Sequence, residues 1–117
     1  INTKEEHATF IQDIIADYFL TQRIKSKEEG DQDRNKYIEM TTTLQQMLVA
    51  VMKCKQTVDP ENTARLSYLT EYFSNIYFDE HGLEHLKQLN HKFSYYYGFD
   101  ELRFLSVLKN FFKSKRS

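Results

Sequence analysis

A chain of 117 residues has the size of one domain, large enough for a single hydrophobic core and too short for two ordinary ones. Its 16 Lys and Arg against 17 Asp and Glu leave a net charge of -1, which excludes a whole-protein field that would draw in nucleic acid or an anionic membrane. Cys54 is the only cysteine, which excludes an intramolecular disulfide framework and a cysteine-based zinc cluster, and fits a reducing compartment.

The first predicted helix begins at Thr3, which forms a Thr-x-x-Glu capping box with Glu6. Its apolar stripe is Phe10, Ile11, Ile14, Ile15, Tyr18 and Phe19, at the three-and-four spacing that puts side chains on one face. The polar stretch from Lys25 to Asp33 reads as a loop or a frayed helix end, with Gly30 able to take the left-handed conformation and Asp31 or Asp33 able to cap the next helix. That second helix runs from about Arg34 to Gln56, with Tyr37, Met40, Leu44, Met47, Leu48, Val51 and Cys54 on or near one face.

Asp59-Pro60 is an N-cap followed by proline at the first helical position, where its missing N–H costs nothing. A third helix follows with Leu66, Leu69, Phe73, Ile76 and Tyr77 inward, and the chain is expected to turn between Asp79 and Gly82. A fourth carries Leu86, Leu89, Phe93, Tyr96 and Tyr97 before Gly98 closes it. Phe99 and Phe104 flank a cap at Asp100 and launch a fifth with Leu102, Leu105, Leu108 and Phe112. The expected fold is all-α: a compact bundle of about five amphipathic helices, mainly antiparallel, forming a single domain over residues 1–117. The Ile at position 1 points to a domain cut from a longer chain.

Chemistry is sparse. His81 and His85 are one turn apart and Glu84 lies between them, a spacing at which two imidazoles grip one ion, but a helix boundary at Gly82 would swing His81 away. These three are weak metal candidates, and no metal or other cofactor is expected. His91 shares the outer stripe of its helix with Glu84, Gln88 and Tyr95 and reads as a surface histidine. Cys54 sits at the edge of an apolar face, where a small thiol packs as a hydrophobe. No phosphate-cradling glycine loop, dinucleotide fingerprint or His-Glu-x-x-His motif occurs, so no catalytic residue is assigned and no enzyme is expected.

Charge is uneven along the chain. Residues 59–84 hold six acids and one base, whereas residues 85–117 hold seven bases and two acids. The cations Lys109, Lys113, Lys115 and Arg116, interleaved with Phe111 and Phe112, form a tail able to touch nucleic acid or an anionic surface. Cations at a helix C-terminus are also favoured by the dipole without any partner.

Of 17 aromatic residues, 13 lie from Tyr68 onward, more than one core face requires. On the third helix Tyr72 falls about 80 degrees and Tyr68 about 120 degrees from the inward direction, with Phe78 on the back. On the fourth, Tyr95 lies about 160 degrees from the apolar face. The leading expectation is a non-catalytic interaction or regulatory module that binds a protein partner or self-associates through Tyr68, Tyr72, Phe78, Tyr95 and Phe111. The second is a sensor that takes a small apolar ligand in a pocket lined by Met47, Phe73, Phe93, Tyr97 and Phe104. Contact with nucleic acid through the basic tail stands third. No stretch is apolar enough to span a membrane, and Ile1 to His7 carry no signal-peptide pattern, so a soluble cytoplasmic setting is expected.

Overall fold

The computed structural model describes the backbone of residues 4–97 and the side chains of residues 6–78, together with Phe104 and Leu108. Helix α1 (Lys4–Asp13) runs directly into a π-helical segment (Ile14–Arg23), followed by α2 (Arg34–Gln56) and α3 (Pro60–Tyr97). The described residues contain no strand. The all-α expectation holds, but the described part has three helices, because the predicted third and fourth form one.

That fusion corrects the turn expected between Asp79 and Gly82, since α3 continues through both. An isolated glycine in a helix costs about 1 kcal/mol relative to alanine, which one residue among good helix formers such as Leu83, Glu84 and Leu86 does not make decisive. Proline would have broken the helix, and the only proline, Pro60, is its first residue. Before it, the Asp59 carboxylate accepts the Glu61 N–H at 3.0 Å, so this end is capped as the sequence indicates.

Gly30 takes the left-handed conformation at φ 94°. Beside it, the Asp31 carboxylate accepts the Asp33 N–H at 2.8 Å, closing the turn ahead of α2, while Asp33 at the N-cap makes no capping bond through its side chain. The Thr3 capping box, Gly98 and most of the predicted fifth helix lie outside the described residues. Of that fifth helix Phe104 and Leu108 are described, and both are helical and buried.

The π-helical segment places two adjacent pairs in the core. Its wider turn rotates the chain less per residue, so Ile14 with Ile15 and Tyr18 with Phe19 all reach full burial. Its wider bonding pattern is visible where the Ile24 N–H reaches the Phe19 carbonyl at 2.9 Å. The Thr21 hydroxyl and Gln22 carboxamide also donate to carbonyls five residues back. Phe10, expected on the inward stripe, is instead 47% exposed. It precedes the widened segment, and the buried positions there are Ala8 and Ile11.

Met40, Leu44, Met47, Val51 and Cys54 of α2 meet Leu66, Leu69, Phe73 and Tyr77 of α3 in one core cluster with the α1 and π-segment residues. Two contacts fix the chain directions. Lys55 near the end of α2 donates to Thr9 of α1, ahead of the π-helical segment, at 3.1 Å, and Tyr72 of α3 reaches back to Glu39 in the first third of α2. Three side-chain hydroxyls on the inner faces, those of Thr43, Thr70 and Ser74, bond carbonyls one turn back at 2.7 Å, which lets them sit against the core.

Candidate functional site

Phe19 is the centre of the aromatic packing. Its ring lies 5.0 Å from Tyr18, 5.5 Å from Phe73 and 5.6 Å from Tyr77, all edge-on, and stacks on Phe104 at 6.2 Å. Phe73 and Tyr77 stack on each other at 5.2 Å. This cluster absorbs part of the aromatic excess of the C-terminal half. It also fixes three residues of the expected ligand pocket: Met47, Phe73 and Phe104 are all core residues. The side chains of Phe93 and Tyr97 lie outside the described residues.

Tyr68 and Tyr72 stand on the outside of α3 with rings stacked at 6.2 Å and 21°, and Tyr68 is 63% exposed. The Tyr72 hydroxyl donates to the Glu39 carboxylate, and this hydrogen bond raises its pKa above the ordinary value, since ionisation would set a phenolate against a carboxylate. Phe78, read from the sequence as outward, is half-buried with its ring edge-on to Tyr77 at 5.4 Å. Tyr95 and Phe111 lie outside the described side chains, as do the tail cations Lys109, Lys113, Lys115 and Arg116.

The continuity of α3 changes the footing of the metal candidates. His81, Glu84 and His85 occupy positions i, i+3 and i+4 of one unbroken helix, so the boundary expected at Gly82 does not separate them. Their side chains are outside the described set. Among the described residues no group of three His, Cys, Asp or Glu side chains converges as metal ligands would. Cys54 is only 3% exposed, inside the core cluster with Ala50 and Val51.

A groove lies between α2 and α3, with a cavity volume of about 210 Å³. Gln45, Gln46 and Lys53 line it from α2, and Asn62 and Arg65 from α3. Sequence reasoning missed it because the residues are ordinary surface types on two separate helices; the one available signal was Arg65, the single base among residues 59–84. Among the described residues no helix is long and apolar enough to cross a membrane.

Residues 1–81 match the family model of nickel-containing superoxide dismutase, 81 of the 117 residues, and the chain belongs to that family. No curated protein and no solved structure matches the chain. The family is named for an enzyme, and this overturns the expectation of a non-catalytic interaction or regulatory module, with its sensor and basic-tail alternatives, and the reading that no enzyme is present. The matched residues cover α1, the π-helical segment, α2 and more than half of α3.

The described residues do not fit a nickel ion. Nickel needs several converging N, O or S donors, with thiolates the softest of them, whereas the chain has one thiol, buried in the core, and no described cluster of three ligands.

Proposed function

We propose that this chain, as a member of the nickel-containing superoxide dismutase family, serves the dismutation of superoxide and forms the helical body of that enzyme. The observation that carries this reading is the family match over residues 1–81, which spans every element contributing to the described core except Phe104 and Leu108. In the reaction one superoxide anion is oxidised to dioxygen while a second is reduced and takes up two protons to become hydrogen peroxide. No step is assigned to a described side chain, because among the described residues no group of three His, Cys, Asp or Glu side chains converges as metal ligands would.

The positions to test first as ligands are His81, Glu84 and His85. Their one-turn spacing on α3 suits a shared ion, and they adjoin the end of the matched segment. We take residues 1–117 as one helical domain, and the single cysteine supports a reducing, cytoplasmic setting.

The test is to grow the protein with nickel, measure bound metal by mass spectrometry, and follow superoxide decay after pulse radiolysis. Bound nickel and a decay faster than the same concentration of free nickel produces are expected. Loss of both in His81→Ala/His85→Ala would assign the ligands. A nickel-exposed protein that neither retains metal nor accelerates decay would overturn the reading.

A further inference from the structure

The groove between α2 and α3 gathers positive charge without a counter-charge. Lys53 and Arg65 both line it, three carboxamides (Gln45, Gln46 and Asn62) accompany them, and no acidic side chain does. Ala50, 3% exposed, and Val49 complete the lining with small apolar surface.

Lys53 alone has a local explanation, because it lies in the last turn of α2, where the helix dipole favours a cation. Arg65 has none. It belongs to the N-terminal part of α3, where the dipole offers a cation nothing. It also follows Glu61 by four residues, the order and spacing at which an acid and a base close an ion pair on a helix. Among the described residues that pair is not formed, and Arg65 instead lines the groove with Lys53. The smaller groove beside the π-helical segment, about 70 Å³, is different: Arg23, Lys25 and Lys27 there share the lining with Asp33, which brings its own negative charge.

We propose that the α2–α3 groove is a binding site for a small oxyanion of the phosphate type. Arg65 presents a planar fork of N–H donors that matches two oxygens of such an ion, Lys53 adds a point charge from the opposite helix, and the carboxamides of Gln45, Gln46 and Asn62 donate to the remaining oxygens. The site needs both helices, so a bound ion also ties the end of α2 to the beginning of α3. It does not rest on superoxide dismutation.

The test is a titration of the whole chain with inorganic phosphate at constant ionic strength, followed by amide shifts in two-dimensional NMR, with sodium chloride and phosphatidylglycerol vesicles as parallel arms. Saturable shifts around Lys53, Asn62 and Arg65 are expected with phosphate and not with chloride. Arg65→Gln should weaken binding about tenfold or more, the scale set by one charge-assisted hydrogen bond, and Lys53→Gln should weaken it too, while Arg65→Lys retains part of the affinity. Glu61→Gln should leave binding intact or tighten it. Both cations are exposed, so unchanged thermal melts of these variants will separate lost binding from lost folding. Shifts that chloride reproduces, phosphate binding that survives Arg65→Gln, or binding to vesicles without binding to free phosphate would each overturn the site.

Discussion

The Tyr72 hydroxyl on α3 donates its hydrogen to the Glu39 carboxylate on α2, tying two antiparallel helices at their solvent edge. The bond exists only while the phenol is protonated, which is why the Tyr72 pKa is raised. A group whose pKa is higher in the folded than in the unfolded chain stabilises fully below the unfolded value, near 10, and loses that contribution as pH rises through the folded value. Ultraviolet titration of the phenols should therefore show one tyrosine ionising late, and Glu39→Gln should bring it down. The stability advantage of the native chain over Glu39→Gln should shrink on the alkaline side. A phenol titration that Glu39→Gln leaves unchanged would contradict the coupling.

The contacts around Phe19 set a ranking of core substitutions. Four rings lie within 6.2 Å of its own, drawn from the π-helical segment, α3 and the Phe104 position. Phe19→Ala should cost about 3–5 kcal/mol, comparable to the whole stability of a small domain. Phe19→Leu, which keeps most of the volume and loses the ring pairings, should cost about 1–2 kcal/mol. Tyr68→Ser, on an exposed side chain, should change stability by no more than about 0.5 kcal/mol. Urea denaturation of the three variants gives the order, and equal effects for Phe19→Leu and Tyr68→Ser would remove Phe19 from the centre of the core.

Periodicity makes the helices and most of their inner faces legible in the amino-acid sequence, because burial of an apolar stripe dominates the choice of face. Met40, Leu44, Met47, Val51 and Cys54 are buried as their spacing requires, as are Leu66, Phe73 and Tyr77. What spacing misjudges is continuity. Gly82 reads as punctuation, yet a single glycine carries too small a penalty to stop a helix whose neighbours favour it. The π-helical segment is invisible for a related reason: its apolar residues also satisfy an α-helical stripe, and the change of geometry shows only in the structure, in the hydrogen bonds five residues back and the exposed Phe10 just before it. The Tyr72–Glu39 bond and the Lys53–Arg65 groove depend on the pairing of α2 with α3, which one helix's pattern does not encode. The short motifs sought in the sequence did not point to the family, which the match over residues 1–81 shows.

The two glycines in unlike settings should respond in opposite directions. Gly82→Ala lies inside α3 and should raise stability by about 1 kcal/mol through helix propensity. Gly30→Ala should lower it by about 1–2 kcal/mol. Nothing lies within 4 Å of a Cβ added at Gly30, so the cost there is the backbone conformation at φ 94° alone. Thermal melts of the two variants decide this. A Gly82→Ala protein less stable than the parent would restore the turn that α3 replaces.

Cys54 offers a check on where the metal ligands are. At 3% exposure in the core, its sulfur meets an ion or a reagent only after α2 and α3 separate. An aromatic disulfide reagent should therefore modify the native chain slowly, at a rate that rises with sub-denaturing urea, and should modify the unfolded chain at once. Because a thiol held this way does not ligate metal in the folded state, Cys54→Ala should leave nickel uptake unchanged at equal folded concentration. Metal bound by the parent and lost in a folded Cys54→Ala variant would place a ligand inside the bundle, and would require α2 and α3 to open for the ion.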